Sequence, residues 1–196
     1  MIQESYMIFD LPCKTFSLVY SKAFDSISHA ILCYKLRYLF NFSDSAIEMI
    51  LSYLSNRTQY VDWDKNISDS LNNKFGVPQG SILGPLLFIM YINDISLTIT
   101  ECGTSIILYA GDTAILIIEC FPQKLILKAN KELDNINQYC SANLLILNKS
   151  KCKVMIFNYK NSSFFKDKIL LDGYPLEIVE EYKYLGYIID CSLKFK

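Results

Sequence analysis

A polar break between two apolar runs constrains this chain more than any other feature. The segment Tyr109-Ala110-Gly111-Asp112-Thr113 separates the apolar residues 106–108 from the apolar residues 115–118. Two short β-prone runs joined by a glycine-containing turn are typical of a β-hairpin. The sequence therefore predicts a hairpin that carries the carboxylate of Asp112 at its tip.

The composition indicates a globular protein with reduced thiols. Hydrophobic residues make up 52% of the 196 residues and aromatic residues 14%, which excludes a disordered chain. The seven cysteines are odd in number and irregularly spaced, so we expect an intracellular location and no disulfide-linked partner. With one histidine and no Cys-x-x-Cys pair, a zinc site is not expected.

Charge and hydropathy limit the partners that the chain is expected to have. The net charge of -1 provides no global positive field to attract nucleic acid. The longest apolar run, residues 82–92, contains Gly84 and Pro85 and is too short to span a bilayer. The first residues lack the pattern of a signal peptide, so we expect no membrane association.

The apolar periodicity predicts one α+β domain without internal repeats. A capping box is expected where Ser45 precedes Glu48 by three residues. The first predicted helix has an apolar stripe of Ile31, Leu32, Leu36, Leu39 and Phe40, and the second a stripe of Ile47, Ile50, Leu51 and Leu54. The third is apolar nearly all round from 81 to about 95, which predicts a buried helix. The fourth is opened by Pro122 and carries Ala129, Leu133, Ile136 and Cys140 on one face. The predicted strands are residues 16–20, 59–63, 73–77, 144–147, 153–157 and 182–189, with a hairpin around Asp172-Gly173.

A second block lies upstream of the hairpin and gives the chain a family resemblance. It reads Gly76-Val77-Pro78-Gln79-Gly80-Ser81-Ile82-Leu83-Gly84-Pro85-Leu86-Leu87-Phe88 and runs on to Tyr91-Ile92-Asn93-Asp94. In this order and spacing, the block and the hairpin closely resemble the palm of reverse transcriptases from non-LTR, LINE-like (jockey-like) retrotransposons. The resemblance implies a polymerase palm-like antiparallel sheet packed on helices over residues 16–190, with fingers and thumb largely missing. Residues 1–15 are then an N-terminal remnant without clear structure, and residues 191–196 a C-terminal tail.

The family resemblance implies RNA-templated DNA synthesis with two Mg²⁺ ions, which require several converging carboxylates. The positions of the three family aspartates are occupied here by Val19, Gly111 and Asp112, so one acid remains. Asp25 lies six residues after Val19, about 20 Å along a strand or about 9 Å along a helix, too far to replace it. We therefore expect an inactive enzyme with an incomplete metal site at Asp112 and no productive Mg²⁺ binding.

Other positions match the family's nucleotide-binding residues. Phe24, in Ser21-Lys22-Ala23-Phe24-Asp25, resembles the steric gate that excludes a 2′-hydroxyl group; a core phenylalanine is the alternative. Gln79 and Gly80 resemble the loop that contacts the nucleotide and the template; an ordinary Pro-Gly turn before a helix is the alternative.

Two further segments match the polymerase machinery after the hairpin. Lys151 aligns with the lysine that protonates the leaving pyrophosphate, although a solvated surface lysine explains it equally well. The segment Tyr184-Leu185-Gly186 resembles the primer grip, and a strand with a glycine bulge explains it almost as well. His29, the only histidine, is expected to be structural.

Three functions remain open on the sequence. The first is an inactive palm, for which binding of an RNA template and DNA primer is expected to be weak or absent. The second is a non-catalytic module that binds an RNA–DNA hybrid through a basic patch of Lys22, Lys35, Arg37, Arg57, Lys149, Lys151 and Lys153. The third is residual polymerase activity with a single carboxylate, or a site completed by another chain. The sequence leaves the oligomeric state open.

Overall fold

The computed structural model describes residues 13–21, 23–64, 66–109, 111–157 and 168–193, and of residues 13–19 it describes the backbone. The chain divides into two compact units. Within the described ranges, unit 1 contains residues 13–20, 95–139 and 147–193, and unit 2 contains residues 21–94 and 140–146. The predicted boundaries of a palm-like domain at 16 and 190 stay a prediction.

Helices and strands occur in separate runs along the chain, as expected for an α+β fold. The helices are α1 (His29–Tyr38), α2 (Asp44–Leu54), α3 (Leu83–Ile92) and α4 (Pro122–Ala142), with 3₁₀ turns at Ala23–Asp25 and Asn93–Thr98. The strands are β1 (Cys13–Val19), β2 (Thr58–Gln59), β3 (Asp62–Trp63), β4 (Asn66–Ile67), β5 (Leu71–Asn72), β6 (Thr104–Tyr109), β7 (Asp112–Ile118), β8 (Lys153–Phe157), β9 (Leu170–Leu171), β10 (Tyr174–Pro175), β11 (Glu177–Val179), β12 (Glu181–Tyr184) and β13 (Tyr187–Asp190).

Unit 1 is built on a five-stranded sheet in the order β11-β8-β1-β7-β6. β1 pairs antiparallel with both β7 and β8, β6 pairs antiparallel with β7, and β11 joins β8 in parallel. The predicted hairpin is confirmed, because β6 and β7 are joined through the turn that contains Gly111. The apolar residues Ala114, Ile115 and Ile117 of β7 are buried, which explains why the hairpin is anchored in the sheet.

Helix α4 confirms its predicted amphipathic face. Pro122 is its first residue, where the missing N–H of proline has no helical partner to lose. The side chains of Ala129, Leu133, Ile136 and Cys140 are buried. Glu132, on the same helix, is also fully buried and accepts the backbone N–H groups of residues 100 and 101.

Unit 2 is a helical layer with small hairpins. Helix α1 contacts both α2 and α3, and the buried side chains of Leu32 and Leu36 lie on α1. Between α2 and α3 the chain forms two short antiparallel strand pairs, β2 with β5 and β3 with β4. None of the helices in the described ranges is long and apolar enough to cross a membrane.

Several local predictions of helix limits and faces are wrong. Helix α2 is capped by Ser43, whose Oγ accepts the N–H of Ala46, rather than by Ser45. Leu51 of α2 is exposed, although its predicted stripe partners are buried. Helix α3 ends at Ile92 and continues as a 3₁₀ turn. It is not buried on all sides, since Leu86 and Ile89 are exposed.

Three strand predictions also require correction. Residues 182–189 are not one strand, because β12 and β13 form an antiparallel pair with Leu185 and Gly186 in the turn between them. The partner of Thr58–Gln59 is Leu71–Asn72, not residues 73–77, because the chain continues from β5 into the loop that contains Gly76. Residues 144–147 form no strand: Leu144 has a left-handed φ of 54°, and Leu147 makes one isolated bridge to Tyr20. Strand β8 and the hairpin around Asp172-Gly173 are confirmed.

Candidate functional site

The predicted acid positions lie together at one end of the sheet of unit 1. Val19, the last residue of β1, is paired with Asp112, the first residue of β7. On its other side Asp112 is paired with Tyr109, and Gly111 lies in the turn between them. Directly opposite residues in an antiparallel pair have Cα atoms roughly 4.5–5.5 Å apart. A carboxylate at position 19 would therefore be the cross-strand neighbour of Asp112, which is the geometry that a shared metal requires.

The side chains actually present at these positions offer few oxygen ligands. Valine is apolar and glycine has no side chain, so Asp112 contributes the one carboxylate among the three positions. Within the described ranges, no group of three His, Cys, Asp or Glu side chains is placed to hold a metal ion. The donor set at the hairpin therefore does not fit a Mg²⁺ pair, which takes oxygen ligands in near-octahedral geometry.

Tyr184 lies close enough to Asp112 for the carboxylate charge to change the pKa of its phenol. Burial raises the pKa of the Tyr184 phenol, and the negative charge of Asp112 raises it further. The Tyr184 hydroxyl group is buried and has no hydrogen-bond partner within the described part of the chain. Its side chain lines an apolar cavity of about 160 Å³ together with Met155 and Phe157 of β8. Tyr184 is thus placed on the side of unit 1 that also carries Asp112.

The segment predicted as a primer grip is a hairpin tip. Tyr184 pairs with Tyr187, and Leu185 and Gly186 form the two-residue turn with φ angles of 49° and 90°. Positive φ at both central residues is the geometry of the tight turns that match strand twist. The alternative of a strand with a glycine bulge is therefore wrong, and the assignment as primer grip stays a prediction.

Lys151 lies in the turn that precedes β8. Its N–H donates to the Asn148 carbonyl oxygen at 3.0 Å, and its side chain is exposed. This position at the surface of unit 1 fits both the predicted proton donor and the solvated lysine that the sequence left as alternatives.

The predicted nucleotide-binding residues belong to unit 2. Phe24 lies in the 3₁₀ turn after β1, partly buried, with its ring centroid 4.9 Å from that of Phe88 on α3. Gln79 is exposed, and its Nε2 donates to Asp25 Oδ1 at 2.8 Å. Gly80 follows with a left-handed φ of 75° and open space around it. Phe24 and Gln79 are thus carried by two neighbouring backbone segments.

Hydrogen bonds join the segment of Phe24 to the loop of Gln79. The N–H of Val77 donates to the Phe24 carbonyl oxygen, and the N–H of Gly76 donates to the Ile27 carbonyl oxygen, both at 2.8 Å. The His29 ring contacts the Gly76 carbonyl oxygen at 2.8 Å, in keeping with the structural role expected for it. Asp25 and these loop contacts were not predicted, since their partners lie about fifty residues apart and the sequence carries no periodic signal for them.

An open groove of about 1030 Å³ lies beside this loop in unit 2. Its lining is mainly polar and includes the side chains of Asp25, His29, Arg57, Lys74 and Gln79. The guanidinium of Arg57 is held over the Tyr53 ring at 4.6 Å, and its Nε donates to the Tyr53 carbonyl oxygen. Two cations, a carboxylate and several amides therefore face one space, which suits a polar ligand that carries negative charge.

The basic side chains expected to form one patch are largely engaged elsewhere. The prediction is wrong for Lys35, which is buried. Lys22 lies outside the described residues. Four of the predicted cations are ion-paired, namely Lys35 with Asp94, Arg37 with Asp44, Lys149 with Asp172 and Lys153 with Glu177. Of the predicted set, Arg57 is the residue that lines the groove of unit 2.

A mainly antiparallel sheet with an acid at its hairpin tip, together with helices and a Pro-Gln-Gly loop, defines a polymerase palm-like domain. The chain belongs to the reverse transcriptase (RNA-dependent DNA polymerase) family, whose model matches residues 12–189. The predicted α+β palm-like fold and the resemblance to non-LTR retrotransposons are confirmed, and the chain is a reverse-transcriptase-like domain of a retrotransposon.

The relatives by sequence are polymerases of mobile elements. Two proteins named RNA-directed DNA polymerase from mobile element jockey, from Drosophila melanogaster and Drosophila funebris, are 32% and 30% identical to this chain. Each match covers 89% of this chain and 19% of the relative. A probable RNA-directed DNA polymerase from transposon BS of Drosophila melanogaster is 27% identical over 93% of the chain and 20% of its own length. The chain therefore spans about a fifth of the length of the curated relatives it matches.

Solved structures of telomerase show the same fold. Telomerase from Candida tropicalis in complex with a TWJ fragment of telomeric RNA has a TM-score of 0.67 and 12% identity, covering 98% of this chain and 30% of that chain. Apo telomerase from the same species, truncated from the C-terminal domain, has a TM-score of 0.64 and 13% identity, covering 95% of this chain and 35% of that chain. At 12% and 13% identity, the similarity to these structures shows the fold alone.

Proposed function

We propose that this chain is a reverse-transcriptase palm that no longer catalyses nucleotide addition. The observation that carries the proposal is the pairing of Val19 with Asp112, next to Gly111 in the hairpin turn. In the family pattern two acids occupy the positions of Val19 and Gly111. The register of β1 and β7 supports the first assignment, because Val19 is paired with Asp112. The apolar side chain and the glycine supply no ligand in their place.

Loss of the metal site is expected to remove the chemical step. The reverse transcriptase family is metal-dependent. We take Mg²⁺ to be the ion of the active relatives, where it would supply charge stabilisation during phosphoryl transfer worth several kcal/mol. Because the donor set of this chain does not fit that ion, we assign no catalytic step to Asp112, and Lys151 has no leaving group to protonate.

The other assignments follow from the same proposal. Phe24 occupies the steric-gate position, Gln79 and Gly80 the nucleotide-binding loop, and Tyr184, Leu185 and Gly186 the primer grip. Residues 16–190 form the palm-like domain, in a protein of intracellular location. These assignments are supported by the match to the family pattern and by the contacts within each unit.

A primer-extension assay tests the proposed inactivity. The unmodified chain is incubated with an RNA template, a DNA primer, nucleotides and either Mg²⁺ or Mn²⁺, and no extension is expected. Extension by the unmodified chain would show the proposal to be wrong. The readout is product length on a denaturing gel, which detects even single additions.

A binding assay tests the lost ligands without requiring activity. The double variant Val19→Asp and Gly111→Asp is expected to bind Mn²⁺ more tightly than the unmodified chain, as measured by calorimetry. The matched control, Val19→Asn and Gly111→Asn, provides similar shape without the negative charges and is expected to bind as weakly as the unmodified chain. Equal Mn²⁺ affinity in all three proteins would contradict the assignment of these positions.

A second function, binding of an RNA–DNA hybrid without catalysis, is favoured by the groove of unit 2. Arg57 and Lys74 line it beside Gln79, so phosphates and base or sugar groups would both find partners there. Salt-dependent binding of a labelled hybrid would support this function. Absence of binding at low salt would exclude it, and would leave the proposed inactivity unaffected.

A further inference from the structure

The side chain of Gln79 is held by a carboxylate on a distant segment of unit 2. Its Nε2 donates to Asp25 Oδ1 at 2.8 Å, across a sequence separation of 54 residues. An ionised carboxylate only accepts hydrogen bonds, so this contact determines which end of the Gln79 amide faces Asp25. The amide oxygen and the second N–H of Gln79 are then the groups left for a ligand.

Backbone contacts around this pair fix the separation of the two segments that carry the side chains. The segment of Asp25 and the loop of Gln79 are joined by the hydrogen bonds from Val77 to Phe24 and from Gly76 to Ile27. A Cβ atom on Gly76 would lie 2.8 Å from the Asp25 Cα atom, so the two backbones are in direct contact. Asp25 and Gln79, both exposed, are therefore carried by two segments that the fold holds in contact.

We infer that Asp25 is a positioning residue for Gln79, orienting its carboxamide so that one acceptor and one donor face a nucleic-acid strand in the groove of unit 2. This inference rests on the proposed hybrid-binding function of that groove. Base edges and sugar hydroxyl groups present neighbouring donors and acceptors, which a fixed amide can match. Arg57 and Lys74 lie in the same groove, where phosphate groups would meet them.

Because Asp25 is charged, the inference predicts the direction in which the affinity for nucleic acid changes when that charge is removed. An acid beside a polyanion weakens binding through electrostatic repulsion, so its removal by itself tightens binding. Loss of a positioning contact acts in the opposite direction, because the Gln79 amide is then free to rotate. A weaker complex after neutralisation of Asp25 is therefore explained by positioning and not by charge.

The experiment measures the affinity of the whole chain for a fluorescein-labelled RNA–DNA hybrid with a single-stranded RNA overhang. Asp25→Ala, which removes the accepting carboxylate, is expected to weaken binding about 3- to 10-fold, the range of one net hydrogen bond. Asp69→Ala, which removes an exposed acid that does not line the groove, is the matched control and is expected to leave the affinity unchanged or slightly tighter. Asp25→Glu retains an accepting carboxylate and is expected to restore part of the affinity.

A double-variant cycle separates positioning from general destabilisation. In a Gln79→Ala background, Asp25→Ala is expected to cause no further weakening, because the amide that Asp25 positions is gone. Equal weakening in both backgrounds, or tighter binding by Asp25→Ala alone, would overturn the inference. Failure of the unmodified chain to bind the hybrid would also overturn it, whereas primer extension by that chain would overturn the proposed inactivity and leave the inference intact.

Discussion

Lys35 shows how a single charged residue is accommodated in the interior of unit 2. The side chain is buried, with 4% of the residue exposed, and its Nζ donates to the Tyr91 carbonyl oxygen at 2.7 Å and to Asp94 Oδ1 at 2.6 Å. Burial lowers the pKa of Lys35, while the hydrogen bond and charge of Asp94 oppose that shift. The lysine is thus a structural group that joins α1 to the end of α3, and it is unavailable to a nucleic acid.

We predict that Asp94→Asn lowers the free energy of unfolding by about 2–4 kcal/mol, because Lys35 keeps its charge but loses its counter-ion. The loss should shrink as the pH rises towards 10.5, the ordinary lysine pKa. In that range the folded form, with its lowered Lys35 pKa, binds fewer protons than the unfolded chain, so stability rises with pH. Urea titration at neutral pH and in this alkaline range measures both effects.

The control for this prediction removes the buried charge itself. Lys35→Met in the Asp94→Asn background is expected to recover much of the lost stability, since an apolar side chain of similar length replaces an unpaired ammonium group. If the double variant is no more stable than Asp94→Asn, the cost does not come from the unpaired charge.

Gly76 provides a second prediction at the residue scale. Its φ of 83° and the approach of the Asp25 backbone mean that Gly76→Ala is expected to cost about 3 kcal/mol or more. Gly173→Ala, at a φ of 72° with no atom near the added Cβ, is the matched control and should cost about 1 kcal/mol. Thermal unfolding compares the two variants, and equal losses would show that the backbone contact with Asp25 is unimportant.

At the scale of elements, α4 is tied to the loop before β6 by a buried carboxylate. Glu132 is 0% exposed, and its Oε1 accepts the N–H groups of Thr100 at 3.0 Å and Glu101 at 2.6 Å. Asn135, one turn further on, donates to the Thr98 carbonyl oxygen at 3.2 Å and to Glu132 Oε2 at 3.4 Å. Side chains of α4 therefore provide hydrogen-bond partners for the backbone of residues 98, 100 and 101, which lie in no strand.

We predict that Glu132→Ala lowers the free energy of unfolding by about 2–4 kcal/mol, because two backbone N–H groups lose their acceptor. Glu132→Gln is expected to cost about 1 kcal/mol, since its oxygen can still accept both N–H groups while its amide opposes that of Asn135. Asp134→Asn, an exposed change on the same helix, is the control and should have little effect. Chemical denaturation ranks the three variants, and a Gln variant as unstable as the Ala variant would contradict the shared-acceptor explanation.

The elements that were predicted well are those with a strong periodic pattern or a specific turn. Helix α4 has 21 residues with regular apolar spacing, and the Asp172-Gly173 turn has the chemistry of a tight hairpin. Residues 144–147 are a short apolar run, as a buried strand is, but contain a left-handed Leu144, because the chain turns there after α4. Short apolar runs carry too little periodicity to separate these outcomes.

At the scale of the whole molecule, the sequence predicted the hairpin that carries Asp112 better than the contacts between distant segments. The residues around position 19 and around the hairpin tip resemble the family pattern, which is how both positions were predicted. In the structure, the register of β1 with β7 pairs Val19 with Asp112. The bond between Asp25 and Gln79 depends on two segments that meet only in the folded unit 2. The burial of Lys35 has the same origin, since a lysine on a predicted helix is expected to be exposed.

Large apolar side chains are exposed on the hairpins of unit 2. Trp63, Ile67 and Leu71, on the hairpins between α2 and α3, are 78%, 68% and 65% exposed. Exposed apolar groups of this size favour association between copies. We therefore expect the mass measured by light scattering to rise with protein concentration. The variant Trp63→Ser, Ile67→Thr and Leu71→Thr should reduce this rise, whereas Thr58→Ser, Asn66→Ser and Asn72→Ser in the same hairpins should not. A constant monomer mass for the unmodified chain would contradict the prediction.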